Sequence, residues 1–184
     1  MKKPAKSDPK KRKGLIIVNT GDGKGKSTAS FGLALRAAGN KMNVFIMQFM
    51  KGPWKAGERK ALKKLSEYVE YEAMGDGFTW DTDNPEQDKK TARKAFDIAK
   101  EKLMSGKYQM VILDEINYVL DYKFFPLDEF LETLRNKPKD VHVVCTGRNA
   151  QEKLIELADL VTEMRLIKHP YDDQGIPAQK GIEF

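Results

Sequence analysis

Short runs of apolar, often β-branched residues alternate along the chain with longer stretches in which apolar residues recur every three or four positions. Such short runs are typical of buried strands, and the longer period is typical of amphipathic helices. The pattern predicts strands at residues 15–19, 43–49, 69–73, 110–113, 141–145 and 160–163. It predicts helices at residues 26–38, 57–66, 87–104, 127–136 and 150–157.

Two of the strand-forming runs, LIIV at 15–18 and VIL at 111–113, are apolar at every position. Strands without alternation are expected where helices cover both faces of a sheet. Because strands alternate with helices, the sequence predicts an α/β fold with a mostly parallel sheet of about six strands. Ligands of such sheets bind beyond the carboxyl ends of the strands. The segments that follow the strands are therefore the candidate functional segments.

The basic charge of the chain is concentrated at its N-terminus. The 184 residues include 33 Lys and Arg against 27 Asp and Glu, a formal net charge of +6. Residues 1–13 hold seven of the basic residues and one of the acids, so residues 14–184 carry 26 of each sign. We expect residues 1–13 to be a disordered basic arm and residues 14–184 a single domain. The net charge is therefore poor support for a nucleic-acid partner.

Composition excludes several other classes of protein. A single cysteine rules out a disulfide scaffold, and no apolar run approaches the roughly 18 residues of a membrane-spanning helix. The apolar run after the basic arm is too short for a signal peptide, so we expect a cytoplasmic protein. Cys145 ends an apolar strand and is expected to be a buried small hydrophobe. His142 and His169 lack the spacing of a metal site, and His142 is expected to pack within its strand.

A glycine-rich segment joins the first predicted strand to the first helix. Residues 20–28 read TGDGKGKST and fit the pattern GxxxxGK[ST], except that Thr20 replaces the first glycine. In such a loop backbone N–H groups and a helix N-terminus surround phosphate oxygens. Lys26 would contact the phosphates and Ser27 would hold Mg2+; a glycine-rich turn without a ligand is the alternative. The residues expected to line this nucleoside triphosphate site are Gly21, Asp22, Gly23, Lys24, Gly25, Lys26, Ser27 and Thr28.

Charged residues follow the fourth and fifth predicted strands. Asp114 and Glu115 close the run VIL, where acids in phosphate-binding sheets hold Mg2+ directly or through water, or orient a nucleophilic water. Arg148 follows the fifth strand and could bind a triphosphate through forked hydrogen bonds. Solvated acids at a strand end and a surface arginine are the plainer interpretations.

Two large aromatic residues, Phe78 and Trp80, stand among Gly, Asp and Asn after the third strand. Surface loops of this composition gain nothing by exposing rings. The pair therefore either folds back as a small satellite core or forms a wall for a flat apolar ligand. Gln48 and Lys51 follow the second strand and could line the same crevice.

Taken together, these segments resemble the ATP:corrinoid adenosyltransferases of the bacterial P-loop type. The resemblance rests, in chain order, on TGDGKGKSTASFGLALRAAG, QFMKG, GFTW, VILDEI, TGRNA and ELADLVTEMRLIKHPYDDQGIPAQKGIEF. A P-loop without the usual first glycine is itself a mark of this family. The resemblance implies a P-loop NTPase-like, RecA-like three-layer sandwich and a homodimer.

The resemblance also implies a reaction. A reduced corrinoid, cob(I)alamin or a precursor, attacks the 5′ carbon of ATP and displaces the whole triphosphate in the synthesis or salvage of adenosylcobalamin. The reduced cobalt is the nucleophile, so the protein has to position two substrates and stabilise charge on the triphosphate. Lys26, Glu115 and Arg148 are implied as the catalytic residues. The implied ligands of Mg2+, or of Mn2+ in its place, are Ser27, Asp114 and Glu115.

By the same resemblance, Phe78 and Trp80 pack beneath the corrin ring and displace its lower axial ligand, which makes Co(II) easier to reduce. A flavodoxin or another reductant then supplies the electron. Family members commonly carry a longer N-terminal helical segment where this chain offers its Lys-rich arm.

Two other functions are compatible with the same residues. One is a P-loop ATPase or small-molecule kinase in which Glu115 is the base. The other is a non-catalytic carrier of a nucleotide or corrinoid.

Overall fold

The computed structural model describes residues 13–50, 57–74 and 84–183. The strands of these residues form one sheet. They are β1 (Ile16–Thr20), β2 (Val44–Gln48), β3 (Val69–Ala73), β4 (Met110–Asp114), β5 (His142–Thr146) and β6 (Leu160–Glu163). Their order across the sheet is β3-β2-β4-β5-β1-β6, and every pairing is parallel. The predicted parallel α/β fold is confirmed.

Helices connect the strands, as parallel pairing requires. They are α1 (Lys26–Gly39), α2 (Gly57–Leu62), α3 (Pro85–Met104), α4 (Ile116–Asp121), α5 (Leu127–Arg135), α6 (Glu152–Leu157) and α7 (Pro170–Gln174), with a 3₁₀ turn at Lys63–Leu65. The sequence pattern misses α4 and α7. Both are too short to display a helical period, and α4 follows β4 so directly that its apolar residues extend the apolar run of that strand.

The sheet is covered on both faces. Successive side chains of a strand point in opposite directions, and on β2 Phe45 and Met47 join one apolar cluster while Val44 and Ile46 join the other. The first cluster contains the buried faces of α3, α4 and α5, and the second contains that of α1. Burying each large side chain contributes about 1.5–3 kcal/mol. The helices and the sheet therefore form the expected three-layer sandwich.

Three central strands end one residue later than predicted, each on a polar side chain. Thr20, Asp114 and Thr146 close β1, β4 and β5, and they are 8%, 0% and 0% exposed. An apolar-run criterion undervalues such residues, because it cannot see that hydrogen bonds to neighbouring strands and loops satisfy their polar groups. Cys145, next to Thr146, is fully buried as expected, and burial raises the pKa of its thiol to about 12.

Residues 1–12 of the predicted basic arm lie outside the described residues, while Lys13 forms an ion pair with Asp159 just before β6. In the part of the chain that the structure describes, no helix combines the length and apolarity needed to cross a membrane.

Candidate functional site

The glycine-rich segment of residues 20–28, here called the phosphate-binding loop, curls from β1 into α1. Lys26 lies within it, and its Nζ donates hydrogen bonds of 2.7 Å to the carbonyl oxygens of Gly21 and Gly23. Gly25 precedes α1 at φ +110°, and the first turn of α1 contains no acidic residue. The positive end of the helix dipole is therefore not neutralised by the helix itself, which suits an anionic ligand.

The segment after β6 supports this loop from behind. Gly23 donates its N–H to the carbonyl oxygen of Met164 at 2.6 Å. A Cβ at Gly23 would lie 2.7 Å from that oxygen and 2.8 Å from the backbone of Arg165, so only glycine fits without a backbone shift. Sequence reasoning missed Met164, although its position directly after a predicted strand was a usable signal.

Thr20, which stands where the usual motif has its first glycine, has a structural role. Its Oγ1 accepts a hydrogen bond of 3.2 Å from the backbone N–H of Ala150. The bond ties the end of β1 to the loop after β5. The departure from the motif therefore joins the phosphate-binding loop to the segment that carries Arg148.

A line of buried polar side chains crosses the carboxyl end of the sheet. Asp114 accepts hydrogen bonds from Gln48 Nε2 at 2.5 Å and from Thr146 Oγ1 at 2.7 Å, one on each carboxylate oxygen. The Tyr71 hydroxyl donates to Gln48, and burial raises the pKa of Tyr71 to about 12, so it remains a donor. Thr146 Oγ1 in turn accepts from the backbone N–H of Glu115 at 2.9 Å. Asp114 is thus held between two strands and, through Thr146, positions the backbone of Glu115.

Glu115 lies in the left-handed region at φ +66°, directly before α4. Burial lowers the pKa of Lys26; the Glu115 carboxylate opposes that shift and the Arg148 guanidinium adds to it. Arg148 Nε also lies 3.6 Å from Asp22 Oδ1 in the phosphate-binding loop. Lys26, Glu115, Arg148 and Asp22 therefore lie within electrostatic reach of one another.

The loop after β5 packs against α4. Sequence reasoning missed the two residues of α4 that make this contact, Asn117 and Tyr118. Asn117 is fully buried and donates its side-chain N–H to the Gly147 carbonyl at 2.9 Å. Gly147 has φ +126°, and a Cβ there would lie 3.0 Å from Asn117 Cβ and 3.4 Å from Tyr118 Cδ2. Burial, followed by the Glu115 carboxylate, raises the pKa of Tyr118. Tyr118 therefore adds a neutral hydroxyl beside the charged groups.

Some of the other residues predicted for the site lie in the described part of the chain, and some lie outside it. Ser27 is half-buried and Thr28 exposed in the first turn of α1, and Lys24 Nζ lies 2.8 Å from Glu183 Oε2 near the C-terminus. Phe78, Trp80 and Lys51 lie outside the described residues.

The histidines have structural partners. His142 Nδ1 accepts a hydrogen bond of 3.1 Å from the backbone of Leu15, and His169 Nδ1 accepts one of 3.3 Å from the backbone of Asp172, at the start of α7. Within the described ranges, no three His, Cys, Asp or Glu side chains gather as a metal-binding group. Ser27 in the phosphate-binding loop, Glu115 beside Lys26 and Asp114 next to Glu115 in the chain carry oxygen atoms, the ligands that Mg2+ prefers.

Comparison with known proteins gives consistent matches across nearly the whole chain. The family described as ATP:corrinoid adenosyltransferase BtuR/CobO/CobP matches residues 12–184. A corrinoid adenosyltransferase of Sinorhizobium sp is 49% identical over 174 residues, which are 94% of this chain and 81% of that protein. The corrinoid adenosyltransferase of Escherichia coli K12 is 44% identical over 172 residues, 94% and 86% of the two chains. Corrinoid adenosyltransferase CobA of Salmonella typhimurium LT2 is 42% identical, with the same coverage.

The matched region contains all six strands of the sheet, the phosphate-binding loop and the two loops that bring Glu115 and Arg148 beside it. The resemblance seen in the sequence is therefore confirmed, and the chain belongs to the ATP:corrinoid adenosyltransferase family.

Proposed function

We propose that this protein transfers the 5′-deoxyadenosyl group of ATP to the cobalt of a reduced corrinoid and releases triphosphate. The observation that carries the proposal is the convergence of Lys26, Glu115 and Arg148 at the carboxyl end of the sheet, in a member of a corrinoid adenosyltransferase family. Cobalt in the Co(I) state supplies the electron pair of the new Co–C bond, and the triphosphate leaves with the pair of the broken C–O bond. The protein then needs no nucleophile of its own.

The leaving group accumulates charge, and the phosphate-binding loop supplies its counter-charges. Lys26 Nζ, which donates to two loop carbonyls, would exchange these bonds for bonds to phosphate oxygens. Arg148 is about half exposed and its contact with Asp22 is 3.6 Å long, so this pair is weak and easily exchanged for phosphate. Donors already aimed at the position of developing charge lower the barrier without reorganising.

A divalent cation fits the oxygen donors of this site. Ser27 and Glu115 would hold Mg2+, or Mn2+ in its place, and Asp114, which Gln48 and Thr146 keep in position, would hold it directly or through water. When bound, the ion neutralises part of the triphosphate charge. Thr146 keeps the backbone of Glu115 in position for this role.

Phe78 and Trp80 are assigned, through the family resemblance, to the lower face of the corrin ring, and a flavodoxin or other reductant to the supply of the electron. Replacing either ring by alanine should then spare turnover of chemically pre-reduced Co(I) more than turnover that starts from Co(II) with a protein reductant. Equal losses in the two assays would mean that the rings only bind substrate or pack.

The decisive experiment is a product assay. Purified protein with ATP, Mg2+ and chemically reduced cobalamin should form a light-sensitive Co–C bond and release triphosphate in equal amount. Lys26→Ala should slow both by roughly 10²–10³-fold, the usual loss when a charge-stabilising donor is removed. Lys60→Ala, which removes an exposed lysine of α2, is the matched control and should be unchanged. Orthophosphate or diphosphate with unchanged corrinoid spectra would support the ATPase or kinase alternative instead.

A further inference from the structure

The segment that follows β6 contacts the phosphate-binding loop at two places. At the first, Met164 accepts the backbone N–H of Gly23. At the second, Lys24 Nζ donates a hydrogen bond of 2.8 Å to Glu183 Oε2. Lys24 and Glu183 are 159 residues apart in the sequence, so their ion pair depends on the assembled fold. A carboxylate from the last described turn of the chain is thus placed on the loop that binds the triphosphate.

The two partners of this ion pair differ in how firmly they are held. The Glu183 side chain is 24% exposed, and the backbone N–H groups of Ile182 and Glu183 both donate to the Gln179 carbonyl, at 3.1 and 2.9 Å. The Lys24 side chain is 50% exposed and has a flexible four-carbon stem. When the pair separates, we therefore expect Lys24 to move and Glu183 to stay beside the loop.

Lys24 belongs to the positive charge that faces the triphosphate. Burial lowers the pKa of Lys26, and the charge of Lys24 adds to that shift, so the two ammonium groups lie within electrostatic reach of each other. An ion pair this exposed is weak, whereas a polyphosphate offers several charged oxygens to both lysines at once. Phosphate should therefore displace Glu183 from Lys24, as it displaces the loop carbonyls from Lys26.

The product of the proposed reaction has to leave this cluster of cations. Cleavage of the bond to the 5′ carbon gives the triphosphate one more ionisable oxygen than it has within ATP. The charge that favours the reaction therefore holds the product more tightly than the substrate. A carboxylate that reclaims one of the cations offsets part of this retention.

We propose that Glu183 competes with the triphosphate for Lys24 and in this way weakens binding of the nucleotide and promotes release of the product. The inference rests on the proposed function and deepens it, because it assigns control of product affinity to a residue outside the phosphate-binding loop. Glu183 acts through Lys24 and is a positioning residue. Its removal should tighten binding of the triphosphate, whereas removal of a group that only supports the loop would weaken it.

The test measures the dissociation constant of inorganic tripolyphosphate with Mg2+ by calorimetry. Glu183→Gln should tighten binding by about two- to fivefold, the range of one exposed ion pair, and the gain should shrink at high salt. Glu132→Gln, which neutralises an exposed carboxylate of α5, is the matched control and should leave the affinity unchanged. The melting temperature of Glu183→Gln should fall by no more than about 4 °C, because the pair is exposed.

A double-mutant cycle separates competition for Lys24 from a general effect of charge. Lys24→Gln alone should weaken tripolyphosphate binding. In that background Glu183→Gln should give a smaller gain than it gives in the wild-type protein, because no lysine remains to be contested. An equal gain in the two backgrounds, or no effect of Lys24→Gln, would overturn the inference.

Weaker or unchanged tripolyphosphate binding in Glu183→Gln would also overturn the inference and would make the ion pair a support of the loop. The calorimetric measurement needs no turnover. Failure of the wild-type protein to form a Co–C bond and release triphosphate would refute the proposed function itself, so the two failures are distinguishable.

Discussion

Gly23 lies where the phosphate-binding loop touches the segment after β6. A side chain there would meet the Met164 carbonyl oxygen at 2.7 Å and would push the loop away from its support. Displacing a positioning group by about 1 Å costs roughly 10²-fold in rate. We therefore expect Gly23→Ala to lower kcat/KM for ATP by about that factor, measured as initial rates of triphosphate release.

Gly32 provides the matched control for this substitution. It lies on an exposed position of α1, and a Cβ there would meet no atom within 4 Å. Gly32→Ala should leave the kinetics unchanged and stabilise the fold by about 0.5–1 kcal/mol, because alanine loses less conformational freedom in a helix. Loss of activity in both variants would show that the Met164 contact is not what makes Gly23 necessary.

Thr146 connects the buried carboxylate of Asp114 to the backbone of Glu115. Thr146→Val keeps the shape but removes both hydrogen bonds, leaving one oxygen of a fully buried carboxylate without its donor. We expect a loss of about 1–3 kcal/mol in the free energy of unfolding, measured with urea, and a lower kcat for adenosyl transfer.

Thr133→Val is the comparison for that prediction. Thr133 is also buried, but its hydroxyl donates to the helix carbonyl of Glu129 within α5. This variant should lower the free energy of unfolding by about 1 kcal/mol or less and leave kcat unchanged. Comparable kinetic losses in the two variants would contradict the role given to Thr146.

At the scale of elements, apolar runs were sufficient to predict the sheet. β3 and β6 have the bounds predicted from their residues, and the other strands differ by one residue at one or both ends. These runs succeed because a parallel strand buried on both faces needs apolar residues throughout. α4 could not be predicted, since six residues after a left-handed Glu115 carry no period of their own and depend on packing.

The site could be predicted only in part. Lys26, Glu115 and Arg148 stand next to strand ends, and glycine spacing and charge mark them in the sequence. Thr146 and Tyr118 carry no such mark, because their importance comes from partners contributed by elements distant in sequence. A buried hydrogen bond between two strands is a property of the assembled sheet, and no local pattern encodes it.

β3 is joined to α3 by a cluster of charges around Glu70. Lys102, Lys107 and the Tyr108 hydroxyl all donate to its carboxylate, and the Lys102 bond, followed by that of Tyr108, lowers the pKa of Glu70 from 4.5 to about 2. A carboxylate with a lowered folded-state pKa stabilises the fold above pH 4.5, and this contribution disappears as the pH falls toward 2.

We therefore expect Glu70→Gln to lower the urea midpoint of unfolding at pH 7. Between pH 4.5 and 3, the urea midpoint of this variant should fall less than that of the wild-type protein. Glu132→Gln, on an exposed residue whose contact with Arg135 is 3.7 Å long, should change neither quantity measurably. Parallel acid profiles of wild type and Glu70→Gln would mean that other carboxylates dominate acid unfolding.

At the scale of the whole molecule, exposed apolar side chains of the described residues gather at and after β6. All four residues of this strand are exposed, and among the described strands it pairs only with β1. Leu166 and Ile167 follow it, and Ile167 is 79% exposed. An open edge with apolar neighbours promotes association. We propose that this surface forms the homodimer implied by the resemblance.

Ile167→Asp should then shift the protein from dimer to monomer, measured by sedimentation at micromolar concentration, while each subunit keeps its fold because the side chain is 79% exposed in the single chain. Leu35→Asp replaces an apolar residue of α1 that is 60% exposed and should leave the dimer intact. A monomeric wild-type protein, or a dimer unaffected by Ile167→Asp, would rule out this interface.

The burial of Cys145 has a practical consequence for spectroscopy. It is the only cysteine of the chain, and with its pKa raised to about 12 the thiol stays protonated and shielded from labelling reagents in the native protein. A cysteine introduced at an exposed position such as Lys123 would therefore accept a fluorophore or spin label alone, with the native thiol left in place.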